Sequence, residues 1–468
     1  MGANVDSPKD KKKIVKTSVN TRELVLEMLL EITAEKQYSH LVVRNVLDKY
    51  NYLQIEEKAF IKRICEGTLE RMIQIDYVID AFSKIKTTKM KPVIRNILRM
   101  SVYQILFMNA VPDSAACNEA VKLAEKKKFH QLKGFVNGVL RTISRQKNVI
   151  KYPEKGNNIG QYLSIQYSMP EWIVKKWLQE YEEQTVEQIL LGLLKEHPVT
   201  VRIEENLQEQ EKNELLSKIK ETGITLQPHP YLSYAYLVEH MEGTSNLPGF
   251  QEGMVTIQDV SSMLVSEIAG IRKGDFVLDV CASPGGKALH AACKLNGTGY
   301  VEARDLTDYK VSLIRQNINR MQYTNIGVTE ADALVFQKEK VQTADVVFAD
   351  LPCSGLGVIG KKRDIKYRIL ESSLSQIAAL QKSILDTVQN YVKPGGTLIY
   401  STCTINRMEN EEMVNWFVRN YPFELESLNP QLPKRLQNDT TAKGYLQLLP
   451  GIHKTDGFFI AKMKKREA

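Results

Sequence analysis

From Thr21 to about Lys147, apolar side chains recur every three or four positions. In PVIRNILRMSVYQILFM, residues Ile94, Ile97, Leu98, Ser101, Val102, Ile105 and Leu106 follow one helical face, and Pro92 suits a first helical turn. A stripe that broad has to be buried against other helices. Leu24 to Leu30 and Ile61 to Ile79 repeat the pattern, and Asp113 and Ser114 are N-cap candidates for AACNEAVKLAEKKK. An all-helical bundle is predicted over residues 19–150, behind an aperiodic basic tail at 1–18.

Residues 151–161 turn polar, with Pro153, Gly156, Asn157, Asn158 and Gly160 marking a linker. Two helical stretches follow, PEWIVKKWLQEY and TVEQILLGLLKE, then a strand, VTVRI, and a helix, EQEKNELLSKIKETG. They predict a linker and small α/β subdomain over 151–250. From 251 to 468 the pattern alternates. FVLDVCA, GYVEARDL, IGVTEAD, ADVVFADLP and GGTLIYSTC are strand candidates, separated by helical stretches such as DYKVSLIRQNINRMQ and SLSQIAALQKSILDTVQNYV. Repeated βα units predict a parallel, doubly wound sheet with its ligand at the carboxyl ends of the strands.

With 468 residues, 43% of them hydrophobic and 25% charged, the composition is that of a multidomain globular chain and excludes a disordered or collagen-like one. No apolar run approaches the roughly 18 residues of a membrane span, and MGANVDSPKDKKK has no apolar core of a signal peptide. Six scattered cysteines without a C-x-x-C pair suggest neither zinc nor disulfides, so a reducing cytoplasm and no metal are expected. The net charge of +8 is unevenly spread. Residues 1–150 carry 27 basic and 16 acidic side chains, and the remainder 36 and 39. Such an N-terminal excess is the electrostatic footprint of a polyanion partner, with Lys126, Lys127, Lys128, Lys133 and Arg141 among the candidates, beside Arg95 and Arg99.

Strand FVLDV runs into CASPGGK and then into a helical stretch. Gly285 and Gly286 let backbone approach a ligand, and the following helix N-terminus favours an anion. The segment Cys281, Ala282, Ser283, Pro284, Gly285, Gly286, Lys287 is neither a G-x-x-x-x-G-K-[ST] phosphate loop nor a G-x-G-x-x-G dinucleotide fingerprint. Asp305 closes the next strand, where a carboxylate can accept from ribose hydroxyls, and Asp332 closes the one after, where it can face an adenine amino group. Together they suit an adenosine-bearing cofactor with a small carboxylate, such as S-adenosylmethionine.

Two further strands end in cysteine: ADVVFADLPCSGLG with Asp350 and Cys353, and GGTLIYSTCTINRMENE with Cys403. Cys65, Cys117 and Cys293 read instead as small buried hydrophobes. Two thiols and an aspartate have a joint task in methylating carbon 5 of cytosine. A thiolate adds to carbon 6, an acidic group serves N3, and a base later removes the carbon-5 proton so that the thiol leaves. The chemistry alone does not choose between the thiols.

DVCASPGGK, ADLPCSGLG and YSTCTINRMENE, with QDVSS and PGIHKTDGFFIAKM, resemble the motifs of RNA cytosine-5 methyltransferases, specifically the bacterial small-subunit ribosomal RNA methyltransferase B (RsmB, Sun or Fmu) family. PVIRNILRMSVYQILFM, VPDSAACNEAVKLA and GFVNGVLR are similar to a NusB-type RNA-binding domain. The resemblance covers about residues 20–465. It implies a multidomain chain: a NusB-like all-α bundle, a small α/β linker domain, and a Rossmann-like class I methyltransferase domain. It implies that residues 281–287, Asp305, Asp332 and Asp350 bind S-adenosylmethionine, that Asp350 faces the target base, that Cys403 is the nucleophile, and that Cys353 serves product release. 16S ribosomal RNA, free or in an early assembly particle, is the expected partner, and the protein is expected to be a monomer. The competing expectation is an antitermination or ribosome-assembly factor whose methyltransferase domain is only a scaffold.

Overall fold

The computed structural model describes residues 19–467, apart from 196–197, 242 and 244–245. The tail at 1–18 lies outside the described residues. The described residues form two compact units, divided between Lys151 and Tyr152.

Among the described residues the first unit holds seven α-helices: α1 (Thr21–Thr33), α2 (Ser39–Lys49), α3 (Ile55–Glu70), α4 (Met72–Phe82), α5 (Pro92–Phe107), α6 (Asp113–Lys126) and α7 (Lys133–Gln146). Helix α5 packs against α1, α3, α4, α6 and α7. It is buried on almost every side, with Asn96, Arg99 and Gln104 inside as well as the apolar stripe. Those polar groups persist in the core because each is paired. Arg99 Nε and Nη2 reach Asp76 Oδ1 and Oδ2 at 2.7 and 2.5 Å, and Asn96 Nδ2 donates to Thr33 Oγ1 at 2.9 Å. Arg99, counted in the basic cluster from sequence, is therefore a core residue. A Cβ at Gly67 would lie 2.0 Å from the Tyr103 ring, so glycine is what lets α3 approach α5. Asp113 is the first residue of α6 rather than its cap; Pro112 precedes it, and the Asp113 carboxylate accepts from Ser144 Oγ at 2.8 Å and from Lys147 Nζ.

The second unit opens with α8 (Ile159–Gln166), α9 (Glu171–Glu180) and α10 (Glu183–Leu194). An antiparallel sheet in the order β2-β3-β1-β4 follows, built from β1 (Val199–Ile203), β2 (Thr225–Pro228), β3 (Ala235–Glu239) and β4 (Val255–Ile257), with α11 (Glu209–Glu221) between β1 and β2. Its core joins Val201, Ile203, Leu215, Ile219, Val238 and Val255, so the small sheet is complete only at 257, past the boundary at 250 expected from the sequence.

The large sheet runs β10-β12-β9-β8-β5-β6-β7, with β11 also on β12. Its strands are β5 (Phe276–Asp279), β6 (Tyr300–Asp305), β7 (Ile326–Glu330), β8 (Ala344–Asp350), β9 (Val392–Thr402), β10 (Phe423–Leu425), β11 (Tyr445–Leu448) and β12 (Phe458–Lys465). Strands β5 to β9 are parallel, as the alternation predicts. The sheet as a whole is mixed, which corrects the parallel expectation. β12 follows β11 as its antiparallel partner, Leu448 opposite Phe458, and Phe459 pairs with Thr402, so β12 starts at the end where β9 stops and runs against it. FFIAKMKK is buried on both faces and lacks a two-residue alternation that would reveal a strand.

Successive strand residues feed opposite cores. Val277, Val346, Phe348 and Ile399 join α12 (Val260–Ala269), α13 (Gly286–Leu295) and α14 (Asp308–Met321). Leu278, Val347, Leu398 and Tyr400 join the other face, with the helices that follow the short α15 (Ile365–Arg368): α16 (Leu374–Val388) and α17 (Glu411–Asn420). A third core places Trp177 and Leu190 of α9 and α10 with Leu356, Ile359 and Ile405. The helices after the linker thus buttress the loops that follow β8 and β9.

Candidate active site

The turn from β5 into α13 carries CASPGGK. Ala282 N donates to Arg304 O at 2.7 Å and Gly285 N to Ala282 O at 2.6 Å, which folds the loop onto itself beside β6. Gly285 has φ +106°, a conformation that L side chains rarely adopt. Gly286 opens the helix, and a Cβ there would already touch the buried Gln258 side chain at 3.7 Å. Two buried acceptors that flank this loop, Gln258 Oε1 and Asp279 Oδ2, have no hydrogen-bond partner among the described residues. Burial above all, then the neighbouring Asp350 and Asp305 carboxylates, pushes Asp279 up to about 7 against the pull of Lys287. Burial also pushes the Cys281 thiol up, away from nucleophile chemistry.

Asp305 ends β6 and is buried. Its Oδ2 accepts from Ser283 N at 2.9 Å, while Oδ1 accepts from Leu306 N at 2.8 Å and Lys310 Nζ at 2.9 Å. A carboxylate offers about four lone-pair sites, so capacity for another donor remains. Ala331 N donates to Asp305 O at 3.0 Å, which places Asp332 on the adjoining strand end. Asp332 Oδ1 accepts from Leu334 N at 2.9 Å. The sheet therefore lines up the loop, Asp305 and Asp332 along one edge, in the order in which the sequence presents them.

Asp350 ends β8, next to β5. Its Oδ2 takes Lys287 Nζ at 2.6 Å and its Oδ1 takes Ser401 Oγ at 2.8 Å. Burial opposes the Lys287 charge, but the Asp350 carboxylate prevails and holds the ammonium above its ordinary value. Cys353 and Cys403, from the loops after β8 and β9, lie with their sulfurs 3.1 Å apart, both as free thiols. The hydrogen bond from Cys353 holds Cys403 below the usual thiol range despite burial, with Lys362 and Lys287 assisting; the same contact, and burial, drive Cys353 well above it. The contact thus favours the shared proton on Cys353 over Cys403.

Sequence reasoning passed over the residues that hold these loops. Ser401 stands in the quoted Ser-Thr-Cys segment but gained no role there, because a serine in a strand does not show which group it bonds. Glu409 is fully buried and takes Ser354 N, Ser354 Oγ and Asn406 Nδ2 at 2.8, 2.5 and 2.8 Å. A Cβ on Gly357 would fall 2.0 Å from Gly457 O, because the Cys353 loop runs against the Asp456–Gly457 turn.

Comparison with known proteins follows the same division. Residues 268–464 match the model of the 16S rRNA methyltransferase RsmB/F family, 169–242 the ferredoxin-like domain of RsmF/B-like methyltransferases, and 19–145 the NusB family. A probable ribosomal RNA small subunit methyltransferase B of Bacillus subtilis is 36% identical over 458 residues, covering 96% of this chain and 99% of its own. The chain belongs to the ribosomal RNA small subunit methyltransferase B family. Its Synechocystis relative of the same description is 30% identical, with 96% and 100% covered. A solved methyltransferase homologue from Pyrococcus horikoshii, 25% identical, covers 65% of this chain and 97% of its own with a TM-score of 0.55.

For a methyltransferase B family member, the NusB-like unit is where the basic candidates fall, and most of them are engaged internally. Lys126 Nζ lies 2.5 Å from Glu23, Lys127 Nζ 3.1 and 3.0 Å from Glu23 and Glu27, and Lys133 Nζ 2.9 Å from Glu125. Arg141 Nε donates to Asn137 Oδ1 at 2.9 Å. Lys128, exposed at the end of α6 with φ +65°, makes no ion pair among the described residues. Among those residues no helix is long and apolar enough to cross a membrane.

Proposed function

We propose that the protein methylates carbon 5 of a cytosine in 16S ribosomal RNA, using S-adenosylmethionine, through a covalent bond between Cys403 and carbon 6. The 3.1 Å approach of two free thiols beside an Asp–Lys pair carries this reading. A cationic cofactor with an amino group fits the loop, where Asp279 Oδ2 and Gln258 Oε1 are buried acceptors lacking donors among the described residues. S-adenosylmethionine, when bound, supplies an electrophilic methyl group on a sulfonium. Residues 281–287 would hold it by backbone, Asp305 would accept from its ribose and Asp332 from its adenine.

Cys403, ionised with the help of the Cys353 S–H, adds to carbon 6, and its electron pair becomes the new S–C bond. Asp350, gripped by Lys287 and Ser401, stands at the N3 edge, and the proton of that pair offsets charge arriving on the ring. Carbon 5 thereby becomes nucleophilic and is methylated. Once Cys403 is bonded to carbon 6 and no longer accepts from the Cys353 S–H, Cys353 gives its own proton to solvent. As a thiolate it then takes the carbon-5 proton, the C–H electron pair re-forms the ring double bond, and Cys403 leaves as thiolate. The target cytosine has to leave its stack, which costs least in single-stranded or loop RNA.

The test uses labelled S-adenosylmethionine and small-subunit ribosomal RNA, followed by nucleoside analysis. Wild type should yield 5-methylcytosine and Cys403→Ala none, while Cys353→Ala should accumulate a covalent protein–RNA adduct. Full activity in Cys403→Ala would remove the mechanism, and an inert wild type would favour a scaffold role.

A further inference from the structure

The two cysteine loops are not joined by their sulfurs alone. Glu409 lies in the turn before α17, wholly buried, and four donors converge on its carboxylate. Ser354 N and Ser354 Oγ come from the residue after Cys353, at 2.8 and 2.5 Å, and Asn406 Nδ2 comes from the loop after Cys403, at 2.8 Å. Gln381 Nε2 completes the set at 3.2 Å and also donates to Pro352 O at 2.9 Å. Ser354 Oγ in turn meets the hydroxyl of Thr404, the residue after Cys403, at 2.8 Å. Tyr400 OH donates to the Glu409 carbonyl at 2.5 Å, fixing the turn against β9.

Burying a carboxylate among neutral donors is costly, and such a group persists where a neutral one would not satisfy the same partners. An acceptor-only carboxylate suits four converging N–H and O–H groups; a glutamine would turn its own NH2 toward one of them. Ser354 and Asn406 follow a cysteine by one and three residues, and Gln381 also holds the carbonyl of Pro352, next to Cys353, so the carboxylate sets where both thiols stand. We propose that Glu409 is a positioning residue that holds the Cys353 and Cys403 sulfurs in contact. The inference rests on the proposed use of both thiols on one base and extends it to the residue that spaces them.

Glu409→Gln tests it with readouts that need neither cofactor nor RNA. The first is the rate at which diamide, which accepts two electrons and two protons, links Cys353 to Cys403, followed by peptide mass mapping. The second is the pH dependence of Cys403 alkylation by iodoacetamide. In the folded variant the disulfide should form about tenfold more slowly and the alkylation midpoint should move to higher pH, because the thiol hydrogen bond is loosened. The kcat for methyl transfer should fall on the order of 100-fold, with KM for RNA nearly unchanged. If Glu409→Gln does not fold, Ser354→Ala removes only the hydroxyl arm and should move both thiol readouts the same way by less. Unchanged disulfide rate and alkylation midpoint in whichever variant is folded overturn the proposal, whatever happens to turnover. Altered thiol readouts support it even if the RNA product proves not to be 5-methylcytosine.

Discussion

Lys287 Nζ sits 2.6 Å from Asp350 Oδ2, and this contact ties the first turn of α13 to the carboxyl end of β8. It links the glycine loop to the start of the Cys353 loop across two neighbouring strands. Both side chains are mostly sheltered, at 15% and 24% exposure, and the pair is correspondingly harder to break than a surface ion pair.

Lys287→Met leaves Asp350 with Ser401 as its remaining side-chain partner. Stability should fall by about 2 kcal/mol, less than for a fully buried pair losing one member, and activity should fall on the order of 100-fold. Urea denaturation and labelled methyl transfer read the two effects. The double variant Lys287→Met with Asp350→Leu should regain part of the stability and none of the activity.

Asp279 sets a pH dependence of opposite sign to that of an ordinary salt-bridged carboxylate. Its folded value is raised to about 7 from an unfolded value near 3.8, so between those limits the folded state binds the extra proton. The stability it contributes is fully present below about pH 4 and is lost as pH rises through about 7, at up to roughly 1.4 kcal/mol per pH unit. Buried His290, lowered to about 3, works the other way below about 6.5, so wild type has to be compared with Asp279→Asn across the range. The wild-type curve should fall relative to the variant from pH 5 to 7 and run parallel above pH 8. Parallel curves throughout would refute the assignment.

The paired lysines limit how RNA is held. If Lys126, Lys127 and Lys133 each neutralised a phosphate, replacing all three by alanine would flatten the slope of log K against log salt by about 2. Because Glu23, Glu27 and Glu125 already occupy them, the expected change is below 1. Lys128→Ala should matter about as much as the three together. Filter binding of ribosomal RNA fragments across a salt series measures this.

The parallel strands and their loops were legible because each carries a strong local signal: a short β-rich run, then Gly, Pro or Cys at its end. Strand β12 carried none, since its place between β9 and β10 buries it on both faces. Arg99 was misplaced for the converse reason. A lysine- and arginine-rich stretch reads as surface, whereas Asp76, 23 residues earlier, takes that guanidinium inward with two bonds. Glu409 falls within YSTCTINRMENE, but that segment assigns it no role, because its partners are spread from Ser354 to Gln381 and Asn406.

By itself the sequence determined the succession of a helical bundle, a small α/β segment and a βα-repeating domain, together with the chemical groups at the strand ends. Periodicity and turn chemistry are local, and each residue type states what it can do. Tertiary structure alone decided which groups meet. The 3.1 Å between Cys353 and Cys403 spans 50 residues of chain, and the Lys287–Asp350 contact spans 63. Such distances are set by strand order, by buried hydrogen bonds such as those of Glu409, and by close approaches such as Gly357 against Gly457, none of which is written within reach of a single turn or strand.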